Sequence, residues 1–127
     1  MGVMNWPPKV GDPLPRAGEA VGVRRKLSTY CLDPDHEHGG PKARGFEAIL
    51  GITIRDLGYL EGAIETGVLI AAISAVRDRS PYGFVCEVRV PVRGLGAKSA
   101  RTVTVTTAWM LDGPAAAPRL VNALIRS

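Results

Sequence analysis

The sequence predicts an α+β domain in which about three N-terminal helices pack on one face of a four-stranded antiparallel sheet. The first observation is a change of pattern near Gly67. Apolar residues recur at helical spacing before it, and β-branched residues alternate with a period of two after it. The second observation is that the connections between the predicted strands are short enough to join antiparallel neighbours. The chain has 127 residues, enough for one hydrophobic core.

The spacing of apolar residues predicts the first two helices. The first runs from about Val21 to Leu32 and ends before Pro34, because a residue that precedes proline avoids the α region. The second runs from Pro41 to about Leu50. Proline suits the first turn of a helix, and Gly51 suits its end.

A third helix is predicted from Ile54 to about Thr66. Thr53 and Asp56 have the spacing of a capping box, with aspartate in place of the usual glutamate. Gly58 and Gly62 lower the helical propensity of this segment. The cap therefore carries much of the evidence for where this helix begins.

Four strands are predicted in the C-terminal half. The clearest begins at Arg101, where Val, Val, Thr and Trp alternate with Thr, Thr, Thr and Ala. One face of this strand is therefore expected to be apolar and the other polar. The predicted strands are, in order, Val68–Arg77, Phe84–Val90, Arg101–Leu111 and Arg119–Arg126.

Composition predicts one domain and a cytoplasmic location. Residues 1–15 are rich in proline and read as an extended arm, which leaves residues 16–127 as the domain. No run approaches the ~20 apolar residues of a membrane span, and the N-terminus does not resemble a secretory signal. Cys31 and Cys86 lie in different predicted elements, and we expect buried free thiols rather than a disulfide.

The chemistry of the chain is concentrated between Cys31 and Arg44. Both histidines of the chain, His36 and His38, lie here beside three carboxylates. A Gly-Gly-Pro turn then leads into a helix start that carries Lys42. Backbone N–H groups and cationic side chains at such a helix start can hold a phosphate. The net charge of +4 is compatible with an anionic partner but does not identify one.

The same loop admits a metal-binding interpretation. Two histidines and three carboxylates offer five ligand side chains, and alternate spacing places His36 and His38 on one side of an extended segment. The loop lacks a cysteine pair and the His-Glu-x-x-His spacing, however, and acidic loops with histidine are commonly just hydrated. We therefore expect no metal and no cofactor.

Several strings resemble a bacterial family catalogued as domain of unknown function 6883. The most specific is a His-x-x-Gly-Gly-x-Lys-Ala-x-x-Phe core, present here as residues 36–46. The matches together span roughly residues 14–125. The shorter matching strings are Leu14-Pro-Arg-Ala17, Lys26-Leu-Ser-Thr-Tyr30, Tyr82-Gly83, Thr107-Ala-Trp109 and Pro118-Arg-Leu-Val121.

The resemblance implies a fold and an activity. The layout of this family looks like that of small bacterial ribonuclease toxins: barnase, the tRNA-cutting colicins and the RelE-type toxins. Those families cleave RNA without a metal, using a small set of His, Lys, Arg, Thr or Tyr side chains. The chain departs from the family pattern at Thr106, where the family has arginine, and at Asn122, where it often has threonine.

We therefore expect a metal-independent ribonuclease of the bacterial toxin type. Such cleavage needs a base for the 2′-hydroxyl, an acid for the leaving oxygen and cations on the phosphate. Imidazole is the side chain that titrates near neutral pH, so His36 is the expected acid or base. The expected catalytic residues are His36, Lys42, Tyr82, Thr107 and Arg119, and the expected substrate-binding residues are Arg44, His38, Gly39 and Gly40.

Less specific interpretations stay open for the same residues. His36 fits a loop histidine bonded to a neighbouring carboxylate, Thr107 a core hydroxyl and Tyr82 a turn aromatic. At the level of function, the alternatives are a non-catalytic RNA- or protein-binding module and an accessory protein that forms a homodimer through a sheet edge. An active toxin would also need an inhibitor, expected to be a small acidic protein that covers the cleft.

Overall fold

The structure is a computed structural model that describes residues 6–126. Helices occupy the N-terminal half and a four-stranded antiparallel sheet occupies the C-terminal half, with strand order β1-β2-β3-β4. The predicted fold class is confirmed. Residues 1–5 of the expected arm and Ser127 lie outside the described residues. No helix within residues 6–126 is both long and apolar enough to cross a membrane.

Three helices cover the sheet. Helix α1, Val23–Lys26, continues without a break into a π-helical turn, Leu27–Cys31. Helix α2 spans Gly40–Leu50 and helix α3 spans Leu57–Gly67. Short 3₁₀ turns occur at Ala17–Glu19, Ile54–Asp56 and Gly96–Lys98.

The predicted helix boundaries are largely confirmed. Pro41 lies in the first turn of α2, and Gly51 ends it with a φ of 67°. The capping box is present: the Thr53 backbone N–H donates to Asp56 Oδ2 over 3.0 Å, and the Thr53 hydroxyl accepts from the turn that follows. This cap begins a 3₁₀ turn, and α3 starts only at Leu57.

The strands are β1 at Ile73–Asp78, β2 at Phe84–Arg93, β3 at Thr102–Leu111 and β4 at Arg119–Leu124. β1 begins five residues later than predicted. The backbone N–H groups of Val68 and Ala71 donate to carbonyls of α3 instead of entering the sheet. Apolar composition alone therefore overextended the prediction of this strand.

Alternate residues of β2 and β3 form the core against the helices, with Trp109, Val88 and Val105 at its centre. The opposite face of the sheet, hereafter the open face, carries the intervening residues. Arg89, Arg93, Thr102 and Thr104 are exposed on this face, but Glu87 and Thr106 are buried there. The predicted apolar face of β3 is thus confirmed, and the open face contains polar groups removed from solvent.

Both sheet edges are partly covered by residues that precede the helices. Pro13 bridges to Ala72 beside β1, and Val21 bridges to Arg119 of β4. In the described part of the expected arm, the Gly11 backbone N–H donates to Ile73 O, and the ring of Trp6 packs edge-on against Phe84. These bridges position α1 alongside the first residue of β4.

Candidate functional site

Helix α1 and its π-helical turn place two candidate site residues, Lys26 and Tyr30, side by side on one face. Leu27 and Cys31 are four residues apart and fully buried, so they fix the inner face of this segment. Lys26 and Tyr30 are also four residues apart and remain half-buried. The Lys26 ammonium lies 5.0 Å from the centroid of the Tyr30 ring, within cation–π range.

The loop after this helix is organised by His36. Its Nδ1 accepts the backbone N–H groups of His38 and Gly39, each over 3.0 Å, and its carbonyl accepts from Gly40. The amides of His38 and Gly39, just before α2, are therefore bonded to the imidazole, and the first amide of α2, that of Gly40, to the His36 carbonyl. They were expected to hold a phosphate, and the described geometry commits them to His36 instead.

These two contacts also indicate which tautomer of the neutral His36 ring fits the loop. An Nδ1 that accepts two N–H groups carries no hydrogen, so the hydrogen of the neutral ring is on Nε2. In this arrangement the ring offers a donor to its surroundings. Its ring centroid lies 4.8 Å from that of Tyr30, with the two planes nearly perpendicular.

Lys42, in the first turn of α2, also lies against Tyr30. Its ammonium donates to the Tyr30 hydroxyl and lies 4.4 Å from the ring centroid. Tyr30 thus has Lys26, Lys42 and His36 around it; we call these four residues the Tyr30 cluster. A cation at a helix N-terminus opposes the helix dipole, which costs about 0.3–1 kcal/mol, and an anionic ligand would offset this cost.

A shallow pocket of about 310 Å³ adjoins the cluster and shares Lys26 with it. Arg119 enters this pocket from the start of β4, because the Val21 bridge holds that strand against α1. No side chain is present at Gly22, where a Cβ would lie 3.5 Å from the Arg119 Cγ. The pocket is lined by Gly22, Arg25, Lys26, Thr29, Arg119 and Leu120.

The two ammonium groups of the cluster lack a carboxylate partner among residues 6–126, although Arg119 beside them lies 3.9 Å from Asp112. Among residues 6–126, no carboxylate lies within 4.0 Å of the ammonium of Lys26 or Lys42, whereas Arg24 is paired with Glu61. Burial raises the pKa of the Cys31 thiol to about 11, although both ammonium groups oppose this rise. Cys31 is consequently a neutral core residue and not a thiolate nucleophile.

The other expected residues are distributed over different parts of the molecule. Thr107 is fully buried: its hydroxyl donates to Val88 O over 2.7 Å and accepts from Trp109 Nε1 over 2.8 Å. Tyr82 lies in the turn before β2 and is 72% exposed, with no hydrogen bond from its hydroxyl to a described residue. Of the five expected catalytic residues, the structure brings His36, Lys42 and Arg119 to one region.

The expected substrate-binding residues mostly have structural contacts. Arg44 donates to Pro34 O over 3.4 Å, and His38 is largely exposed, 4.0 Å from Glu37. A Cβ at Gly39 would lie 2.0 Å from Tyr30 O, and one at Gly40 would lie 2.7 Å from Pro34 O. Gly39 therefore permits the close approach of α2 to the end of the preceding helix, and Gly40 its approach to the loop at Pro34.

Sequence reasoning missed Lys26 and Tyr30 as site residues. The Lys-Leu-x-x-Tyr string contains both, but nothing in the string itself gives either residue a chemical role. Their four-residue spacing and their closeness in sequence to the His36 loop were the available signals. Within the described residues, 6–126, no group of three or more His, Cys, Asp or Glu side chains is arranged to hold a metal ion.

Comparison with known proteins identifies a family for this chain. The model of a family described as Domain of unknown function (DUF6883) matches residues 13–127. No curated protein and no solved structure matches the chain. The expected likeness to ribonuclease toxin folds accordingly stays a prediction.

Proposed function

Since the chain belongs to the DUF6883 family, whose description assigns no activity, we propose that it cleaves RNA without a metal at the Tyr30 cluster. The observation that carries this proposal is the convergence of Lys26, Lys42 and His36 on one phenol, with no carboxylate pairing either ammonium among residues 6–126. Such a cluster combines cations for a phosphate with groups that exchange protons.

The geometry suggests a role for each group. Lys26 and the His36 Nε2–H would donate to the non-bridging oxygens of the scissile phosphate. Tyr30 and Lys42 are already hydrogen-bonded and would transfer the protons, reacting through their ion-paired form. The 2′-hydroxyl proton would pass to the Tyr30 oxygen, and a Lys42 proton to the leaving 5′-oxygen. Transfer of a proton from Tyr30 to Lys42 then restores the pair.

The adjoining pocket supports a polymeric substrate. Arg25 and Arg119 lie beside Lys26, so a neighbouring phosphate could bind there while the scissile phosphate occupies the cluster. A chain with successive phosphates fits this arrangement better than an isolated anion. A small acidic inhibitor protein would be expected to cover the same positive surface.

A non-catalytic RNA-binding module is the second candidate, and the His36 cap favours it. An imidazole whose Nδ1 accepts two backbone N–H groups already has a structural role in the loop. The Lys26, Lys42 and Arg119 cations would then hold the backbone of RNA without cleaving it. RNA retention would weaken as salt concentration rises.

The two candidates are separated by incubating the purified protein with end-labelled RNA in EDTA, beside an all-deoxy oligonucleotide of the same sequence. Cleavage predicts shortened RNA ending in a 2′,3′-cyclic phosphate and intact DNA. Tyr30→Phe keeps the ring and should slow cleavage by about 10²–10⁴-fold. Lys42→Gln should also slow cleavage. The matched control Lys9→Gln removes a lysine outside the cluster and should leave the rate unchanged.

The variant His36→Asn tests the histidine without removing the cap. The asparagine oxygen can replace Nδ1 as the acceptor, while the Nε2 donor is lost. Slower cleavage with unchanged thermal stability would support a chemical role for His36. RNA that is retained but never shortened would assign the protein to the binding class, and RNA that is neither retained nor shortened would contradict both candidates.

A further inference from the structure

A second polar pocket lies on the open face of the sheet, away from the Tyr30 cluster. It has a volume of about 230 Å³ and is lined by Arg89, Thr104, Thr106 and Arg126. Arg89 and Thr106 are direct partners in the pairing of β2 with β3, so their side chains lie side by side on this face. None of the four residues belongs to the site proposed above.

Glu87 holds one wall of this pocket in place. Its side chain is 7% exposed and accepts from Arg77 over 2.8 Å and from both terminal nitrogens of Arg126 over 3.3 and 3.1 Å. Arg126 follows β4, Glu87 is on β2, and β3 lies between these two strands. The Arg126 side chain therefore passes over β3 to reach Glu87. Arg126 is thereby preorganised while half of its side chain stays exposed.

The open face has more cationic than anionic groups around this pocket. One carboxylate, that of Glu87, serves two guanidinium groups. Arg89 makes no ion pair with any carboxylate in the part of the chain that the structure describes. Three arginines against one glutamate leave an excess of two positive charges. Arranged around a concave surface, such an excess attracts an anion.

Hydroxyl donors add to the arginines. Thr106 is a buried residue whose hydroxyl bonds to no residue between 6 and 126, and Thr104 is exposed at the mouth of the pocket. The two guanidinium groups and two hydroxyls together offer more hydrogen-bond donors than the two oxygens of a carboxylate ligand could accept. They match a tetrahedral phosphate group, for which the arginine fork has suitable geometry.

We propose that the pocket formed by Arg89, Arg126, Thr104 and Thr106 on the open face binds a phosphate group. The phosphate could be a free anion or part of a polynucleotide backbone, since the recognised chemistry is the same. No aromatic side chain lines the pocket, and the donors that line it suit a phosphate better than the edge of a base. The site is independent of the proposed cleavage, because it shares no residue with the Tyr30 cluster.

The test is an NMR titration of the full chain, in which backbone amides report on each site separately. The Thr106 amide reports on this pocket, and the Lys42 amide reports on the Tyr30 cluster. The probes are inorganic phosphate and a short all-deoxy oligonucleotide that contains no 2′-hydroxyl. Saturation of the Thr106 signal by phosphate alone identifies a free anion as sufficient, and saturation only by the oligonucleotide identifies a backbone phosphate.

Arg89→Gln should lower the phosphate affinity measured at the Thr106 amide about tenfold, as expected for loss of a charge-assisted donor pair. Arg79→Gln makes the same charge change at an exposed position outside the pocket and should change the affinity less than about twofold. Thr106→Val keeps the shape of the buried side chain and should also weaken binding. The proposal is overturned if neither probe shifts Thr106, or if Arg89→Gln and Arg79→Gln have equal effects.

Discussion

Thr107 and Tyr30 illustrate how burial decides what a hydroxyl can do. The Thr107 hydroxyl has one donor and one acceptor bond inside the core and no access to a ligand. The Tyr30 hydroxyl receives a hydrogen bond from an ammonium at a half-exposed position. Of the two, Tyr30 is therefore the one that can meet a substrate.

We expect Thr107→Val to destabilise the protein by about 1–3 kcal/mol, because it leaves the buried Trp109 N–H and Val88 carbonyl without this partner. Urea unfolding followed by tryptophan fluorescence measures this change. Thr102→Val, at an exposed position of the same strand, is the matched control. Equal stabilities for the two variants would contradict the assigned role of Thr107.

At the scale of elements, the site depends on the junction between α1 and α2. The π-helical turn, the His36 cap and the two glycines bring the first turn of α2 against the end of the preceding helix. Lys42 reaches Tyr30 only because of this close approach. The junction therefore supports the site as well as the packing of the helices.

Two glycine substitutions in this part of the chain should have opposite effects. Gly39→Ala would place a Cβ 2.0 Å from the Tyr30 carbonyl oxygen, so the backbone must shift and stability should fall by about 1–3 kcal/mol. Gly45→Ala lies within α2 with nothing within 4 Å of its Cβ. It should stabilise by about 0.5–1 kcal/mol, because alanine has the higher helix propensity.

Thermal unfolding monitored by circular dichroism measures both changes. Gly39→Ala should also disturb the contact of Lys42 with Tyr30 and reduce RNA cleavage or retention per folded molecule. Gly45→Ala should leave that activity unchanged. A Gly39→Ala protein as stable as the native chain would refute the close approach of the two helices.

At the scale of the whole molecule, Glu87 connects the two edges of the sheet across the open face. Its partners are Arg77 on β1 and Arg126 after β4, so one carboxylate links the first strand to the segment that follows the last strand. The helices stabilise the other face through apolar burial. The sheet thus has an apolar face and an open face, and a different kind of interaction stabilises each of them.

Glu87→Ala should lower the free energy of unfolding by about 1–2 kcal/mol. The side chain loses charge-assisted hydrogen bonds, but both arginines are half exposed and regain water. Urea is the suitable denaturant, because guanidinium chloride is a salt and would screen the charge interactions of Glu87. Glu19→Ala, which removes an exposed local ion pair, should leave the urea midpoint unchanged. Equal midpoints for Glu87→Ala and the native chain would contradict this role.

The amino-acid order was sufficient to predict the fold class and most element boundaries. Local signals were sufficient there: Pro41 and Gly51 bound α2, and Thr53 with Asp56 caps the turn before α3. The alternation in β3 also identified its buried face. These features depend on residues close together in the chain, where propensity and periodicity are strong.

Which polar residues lie close together depends instead on contacts between distant parts of the chain. His36 and Lys42 were recognisable from their loop, but their meeting with Tyr30 depends on how two helices pack, and Arg119 joins them through a bridge between Val21 and β4. Thr107 does not join them, because its side chain is buried in the core. Such contacts join residues distant in sequence, and their formation depends on close packing and hydrogen bonding that no local pattern encodes.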